Sequence, residues 1–353
     1  MTIDDHVREA GAPWMTEDAP DQDVVISSRA RLARNLRGLN FPERLSDRGG
    51  DALLNETEGA FSKLGPEWSF FRLRAVPEVD LQVLVEKHLI SPELAQDTRF
   101  HGLALTQGED ESVMVHEEDH IRLQTFSPGL DLKGALAKAR GIDEKLEGSL
   151  EWAFDGRLGY LTACPTNLGT GLRVSLMAHL PALVLTQEMR QLVPALTKIG
   201  IAVRGIYGEG TQALGEIFQI SNQVTLGQSE DAIAEGVHHV GQQIVERERR
   251  ARERIAGEHM TELQDRVFRA LGTLQNARLL SAEEAIEKIS TLRVGREMGL
   301  LKHPGYRTLE ALMVMSLPGF LERTSGATLS RDERLRLRAS LVRERLKTEK
   351  GDD

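Results

Sequence analysis

Between residue 23 and about residue 226, short apolar or alternating runs recur and read as β-strands. They are Val24–Arg31, Leu103–Thr106, Ser112–Val115, Ile121–Phe126, Leu158–Ala163, Leu172–Ala178 and Ile201–Ile206. Helical stretches lie between them, for instance Pro77–Lys87 and Thr186–Lys198. Val115 and Ile121 are too close for a crossover helix, so neighbouring strands pair antiparallel. The pattern predicts an α+β domain over 23–256, an antiparallel sheet flanked by helices. Residues 1–22 are polar, with Pro13, Pro20 and many acids, and predict a flexible N-terminal arm. After Gly227 the pattern turns helical. Residues 228–255 form one long charged helix ending in ERERRARER, and no strand follows. This predicts an all-α C-terminal domain over 257–353. Ser281-Ala-Glu-Glu284 is a capping-box start. In the last helix Leu335, Ala339, Val342 and Leu346 make one apolar stripe. That stripe and the long helix make a homodimer the expected assembly.

Composition narrows the class without naming a chemistry. The 353 residues carry 44 Lys+Arg and 54 Asp+Glu, a net charge of −10, with 40% hydrophobic and 28% charged residues. Global acidity argues against direct nucleic-acid binding. No apolar run is long enough for a membrane span. The start, MTIDDHVREAGAPW, lacks the apolar stretch of a secretory signal. A lone cysteine, Cys164, excludes a disulfide framework and a Cys-rich zinc site. The expected location is cytoplasmic.

One apparent motif misleads. His116-Glu117-Glu118-Asp119-His120 matches H-E-x-x-H, which binds zinc only when a helix places both histidines on one face. Here it falls in a tight turn between two strands, where it presents two adjacent carboxylates, Glu117 and Glu118. The strands themselves carry a more informative pattern. Arg29 and Arg31 share a face with Ser27, and Arg122, Arg173 and Arg204 sit on three further strands. A single strand arginine belongs on a solvated face. Five on four strands repel one another unless an anion lies among them. Guanidinium forks suit phosphate oxygens, so the face reads as a nucleotide-phosphate site, although the chain has no Walker A loop. Arg204-Gly-Ile-Tyr-Gly-Glu-Gly-Thr211 is a glycine-rich loop whose charged side chains are Arg204 and Glu209. It reads equally as a surface hairpin or as a loop approaching a ligand. Cys164 reads as a small buried apolar residue or as a thiol tuned by its surroundings.

These segments resemble, in order, the motifs of the ATP:guanido phosphotransferases, the family of arginine and creatine kinases. The quoted segments are Val25-Ile-Ser-Ser-Arg-Ala-Arg31, His116 to Arg122, Cys164-Pro-Thr-Asn-Leu-Gly-Thr-Gly-Leu-Arg173, Arg204 to Glu209, and Ile220-Ser-Asn-Gln. Within the family the chain looks most like the bacterial protein-arginine kinases. Phosphagen kinases carry a helical domain before the first arginine motif, where this chain has only about 25 residues. It has a helical C-terminal domain instead. The resemblance implies transfer of the ATP γ-phosphoryl group to arginine in proteins, with a role in stress response and marking for degradation. It implies ATP and Mg²⁺ as cofactors, the ion held mainly through the nucleotide and no metal motif in the protein. Implied partners are arginine-containing proteins, an activator and a Clp-type protease.

The resemblance also assigns residues. Ser27, Ser28, Arg29, Ala30, Arg31, His88, Arg122, Arg173, Val174, Ser175, Leu176 and Met177 would bind ATP. Arg204, Gly205, Ile206, Tyr207, Gly208 and Glu209 would complete that site. Glu118 would be the catalytic carboxylate and Glu209 its partner across the guanidinium, with Glu117 and Cys164 nearby. Two departures stand out. The family has Asn where His116 stands. The protein-arginine kinases carry a C-terminal R-D-x-x-R-A motif for phosphoarginine, and here Arg334, Arg338 and Ala339 match it while Leu335 replaces the acid. Those arginines read equally as a phosphoarginine pocket or as side chains snorkelling beside a core stripe.

Overall fold

The computed structural model describes residues 1–206 and 213–348. In chain order its helices are α1 (Ile3–Val7), α2 (Asp47–Phe61), α3 (Glu78–Glu86), α4 (Pro92–Gln96), α5 (Leu132–Glu147), α6 (Pro181–Leu185), α7 (Met189–Lys198), α8 (Glu230–Asn276), α9 (Ala282–Glu297), α10 (Tyr306–Met315), α11 (Pro318–Ser325) and α12 (Arg331–Thr348). Its strands are β1 (Val25–Arg34), β2 (Trp68–Arg72), β3 (Gly102–Thr106), β4 (Glu111–Val115), β5 (Ile121–Pro128), β6 (Phe154–Asp155), β7 (Gly159–Tyr160), β8 (Leu172–His179), β9 (Ile201–Gly205) and β10 (Ile217–Asn222).

Eight strands form one sheet in the order β2-β3-β4-β5-β1-β8-β10-β9, and every neighbouring pair is antiparallel. The α+β expectation holds. Two sheet strands escaped the pattern, β2 and β10, and the run Leu158–Ala163 yields only the two-residue β7 of a small hairpin. Leu32, Val174, Leu176 and Ile220 on one face of the sheet pack into a core with Ala135, Leu136 and Ala139 of α5 and Ile233, Val237 and Ile244 of α8. The opposite face is left for the site.

The long helix read over 228–255 continues past residue 257, where the helical domain was expected to begin. Ser229 caps α8 by accepting from the Ala232 N–H, and the helix then runs 47 residues with one non-helical break at His259 (φ −137°, ψ 34°). Ser281 caps α9 as the sequence indicated, accepting from the Glu284 N–H at 3.0 Å. Ala339, Val342 and Leu346 of α12 enter a second core, which also takes Ile26 and Ile217 from the sheet. The helical half and the sheet therefore share apolar packing. No helix among the described residues is long and apolar enough to cross a membrane.

The N-terminal arm, expected from the sequence to be flexible, is packed against the rest of the chain. Val7 is fully buried, Met15 joins the second core, and the Trp14 ring stacks on Phe126 at 5.4 Å. Asp4 pairs with Arg323 of α11, and Glu17 pairs with Arg296 of α9 at 2.8 Å. Three of the arm's acids, Asp4, Glu17 and Asp21, pair with Arg323, Arg296 and Arg249 of the later helices.

Candidate active site

Residues directly opposed on adjacent antiparallel strands share a face. Between β1 and β8 the opposed pairs are Arg31–Arg173, Arg29–Ser175 and Ser27–Met177. On the other side of β1, Ala33 opposes Arg122 and Arg29 opposes Phe126. Met177 in turn opposes Gln219 of β10, which opposes Arg204 of β9. The register thus brings Arg29, Arg31, Arg122, Arg173 and Arg204 onto one face. Ser28, Ala30, Val174 and Leu176 alternate to the other face and are buried there. The Ser28 hydroxyl donates to Gly129 O and accepts from the Asp131 N–H, both at 2.8 Å. Only the main chain of these four residues is available to a ligand on the arginine face.

Two adjoining depressions occupy that face. Ser27, Arg29, His88, Phe126, Ser175, Met177, Arg204, Gly205, Ile206 and Gln219 line an open cleft of about 290 Å³. Arg29 donates to Ser175 Oγ at 3.2 Å and to Gln219 Oε1 at 2.7 Å. Burial, and then the charges of Arg122 and Arg173, pushes Arg29 down to about 9. Arg31 is held well below its ordinary value by burial and by Arg29, Arg122 and Arg173. A guanidinium keeps its proton in proteins, so this field is a demand for an anion. His88 is pushed down to about 4 by burial and by Arg29 and stays neutral. Next to the cleft, Arg31, Glu118, Asp119, Arg122, Asn167, Gly171 and Arg173 line a smaller polar recess.

The turn from His116 to His120 is built to present Glu118. His116 adopts φ 63°, a left-handed conformation in which Asn, Asp and His are enriched, and its N–H donates to His120 O at 2.8 Å. Asn, which the resemblance expects at this position, is also at ease in that conformation. His120 is fully buried, accepts from the Leu36 N–H at 3.0 Å on Nδ1 and donates from Nε2 to Asn40 O at 2.8 Å. Burial pushes it down to about 4, so the imidazole is a neutral strut. Asp119 accepts from Asn35 and from the Ala163 N–H, both at 2.6 Å, which ties the turn to the cysteine loop.

The two carboxylates of the turn differ. Glu117 is nearly buried, which would raise it, yet the Arg122 guanidinium at 2.5 Å and the Glu118 N–H at 2.8 Å hold it lowered. Ser91 also donates to it at 2.9 Å. Glu118 is exposed at the recess, and its carboxylate makes no hydrogen bond or ion pair with the described residues. Glu117 orients, and Glu118 is available for chemistry.

Cys164 is half-buried with its sulfur 3.0 Å from Thr166 Oγ1, at the start of the loop whose Asn167 and Gly171 line the recess. Gln219, Asn167 and Ser91 were not singled out in the sequence. Gln219 was missed because β10 was not recognised as a strand. Tyr207, Gly208 and Glu209 lie outside the described residues. In the helical half, Arg338 is buried and donates to Ser316 O at 2.7 Å and Leu280 O at 2.8 Å, while Arg334 pairs with Glu322 at 3.1 Å. Both guanidinium groups are engaged, and Arg338 is closed off from solvent. Among the described residues no group of three or more His, Cys, Asp or Glu is arranged to hold a metal ion.

Comparison with known proteins adds a family to this geometry. Residues 53–251 match the C-terminal catalytic domain of the ATP:guanido phosphotransferases, and residues 260–353 match the C-terminal domain of the protein-arginine kinase McsB. A protein-arginine kinase of Halalkalibacterium halodurans is 44% identical over 99% of this chain and 99% of its own length. One of Bacillus subtilis is 43% identical over 99% of this chain and 97% of its own. Among solved structures, a lombricine kinase matches with a TM-score of 0.58 and 24% identity, over 68% of this chain and 70% of that one, a likeness of fold. On its catalytic-domain match and its full-length relatives, the chain belongs to the ATP:guanido phosphotransferase family.

Proposed function

We propose that the chain is an ATP-dependent kinase that transfers the γ-phosphoryl group to a guanidinium nitrogen of arginine residues in proteins. One observation carries the reading. Four of the five arginines on the site face, Arg29, Arg31, Arg173 and Arg204, have no carboxylate partner among the described residues, and they adjoin the available Glu118. Phosphoryl transfer is mainly alignment and charge neutralisation. Arg29 and Arg204 line the cleft where the nucleotide phosphates lie. Arg31, Arg122 and Arg173 surround the recess where the transferring group meets its acceptor. Mg²⁺, brought with the nucleotide, would offset further phosphate charge. The acceptor guanidinium, with a pKa above ~12, is a poor nucleophile until a proton leaves. Glu118 takes that proton as the N–P bond forms and the bond from the γ-phosphorus to ADP breaks. Glu209, which the resemblance makes its partner across the guanidinium, lies outside the described residues.

The catalytic domain in this reading is 23–256 and the regulatory helical domain 257–353. A phosphoarginine contact at Arg334, Arg338 and Ala339 would first have to displace the Glu322 pair and the main-chain bonds that engage the two arginines. A homodimer, an activator and a Clp-type protease belong to the same reading. The test is incubation with MgATP and either an arginine-rich protein or free L-arginine, followed by mass mapping at neutral pH, because the N–P bond is acid-labile. ATP-dependent phosphoryl groups on protein arginines are expected. Efficient phosphorylation of free arginine with none on protein would favour a small-molecule kinase. Phosphoarginine binding without ATP consumption would favour an adaptor.

A further inference from the structure

The floor of the cleft is closed from below by the helical half. Met177 and Ile206, which line the cleft, pack against the core that Ile286, Ile289 and Leu292 of α9 build. At one point this contact becomes polar and directional. Ser290 of α9 is buried, donates its hydroxyl proton to Glu216 Oε2 at 2.6 Å, and lies 2.9 Å from His179 Nε2. A carboxylate only accepts, so the serine oxygen must receive its second bond from the His179 N–H. His179 is the last residue of β8, and Glu216 directly precedes β10. The Glu216 carbonyl accepts from the Leu180 N–H at 2.9 Å, which fixes the same junction through the main chain.

The chain at this junction is strained. Gly215 and Glu216 adopt φ 71° and 53°, and a side chain on Gly215 would meet Ile286 Cγ2 at 2.9 Å. A non-glycine residue in the left-handed region persists only where its surroundings hold it there. The strands joined here carry Ser175 and Gln219, the two groups that orient Arg29.

We propose that Ser290 is a positioning residue for nucleotide binding. It clasps the ends of β8 and β10 and so fixes the spacing of Ser175 and Gln219 around the Arg29 guanidinium. The helical half thereby becomes a working part of the nucleotide site. This rests on the reading that Arg29 holds nucleotide phosphate.

The test measures MgADP affinity by calorimetry, and the KM for ATP and for a protein acceptor, well below each variant's melting temperature. Ser290→Ala should raise the MgADP Kd and the ATP KM roughly fivefold to tenfold, a partial transmission of a hydrogen bond to a charged group. The acceptor KM should stay within twofold. Ser290→Thr, which keeps the hydroxyl, should restore both values, and Glu216→Ala should reproduce the loss from the other end of the clasp. Ser316→Ala removes a comparably buried hydroxyl that bonds Leu312 O at 2.7 Å, and controls for plain destabilisation. If Ser290→Ala and Glu216→Ala melt lower but bind MgADP like Ser316→Ala, the clasp is only structural and the inference falls. If the unaltered protein binds no MgADP, the underlying reading falls with it.

Discussion

Arg252 is buried and Arg29 is half-buried in its cleft, and their surroundings drive them in opposite directions. Arg252, on α8, bonds Glu248 at 2.8 Å, Glu297 at 3.0 Å and Asp23 O at 3.0 Å. Burial lowers it, but Glu297 and Glu248 more than offset that, so it is raised above its ordinary value. Its neighbour Arg293 is likewise answered by Glu297 at 2.9 Å and Glu310 at 2.8 Å. Arg29 has a hydroxyl and an amide for partners and two other arginines for company, and it is pushed down. Burial alone does not distinguish a structural arginine from a binding one. The partners do: carboxylates around Arg252 complete it, and neutral groups around Arg29 only aim it.

The largest expected effect isolates the chemistry from both arginine sets. Glu118→Gln keeps the shape of the turn and removes the proton acceptor, so kcat should fall by roughly a thousandfold. MgADP affinity should stay within about threefold, because Arg29 and its partners are untouched. Near-normal turnover would remove Glu118 from its role.

Next in size is the structural set. Arg252→Met leaves Glu248 and Glu297 buried without their shared partner, which costs about 3–5 kcal/mol. A melt should move down by roughly 5–10 °C, and MgADP binding measured in the cold should change little. An unchanged melting temperature would show that these ion pairs do not hold the two halves together.

Much of this division was legible in the sequence, and the gaps have physical causes. The alternation of Arg29 and Arg31 with Ala30 could be read because a strand period of two is strict. The same period separates Ser28, Ala30, Val174 and Leu176 from the site, and only the resemblance placed them there. β10 was missed because Ile217-Phe-Gln-Ile-Ser-Asn222 is short and puts Phe218 beside Ile217, which blurs the alternation. With it went Gln219. β2 was missed because it is a five-residue edge strand with half-buried side chains. The N-terminal arm looked solvated because its acids find their arginines far along the chain, as Glu17 does with Arg296, and no local pattern reports such pairs. Residue type alone did not separate Glu117 from Glu118; only the resemblance did, and Arg122 and Ser91 engage the first.

A smaller effect should appear with pH. The unfolded imidazoles of His88 and His120 titrate near 6.5, and the folded ones near 4. Below pH 6.5 the unfolded chain gains protons that the fold refuses, so stability is intact above 6.5 and is lost as pH falls from 6.5 through 4. His120 contributes at most about 3 kcal/mol of that loss. His120→Gln should lower the melting temperature at pH 7.5 and flatten its decline between pH 6.5 and 5. An unchanged slope would assign the decline to other groups.

The comparison is tested most directly by paired melts of Arg29→Met and Arg252→Met, each with and without MgADP. Arg29→Met should melt at or slightly above the unaltered protein, because it relieves repulsion with Arg122 and Arg173, and it should lose the MgADP-induced rise. Arg252→Met should melt well below and keep that rise. An Arg29→Met protein that melts as low as Arg252→Met yet still responds fully to MgADP would contradict the account.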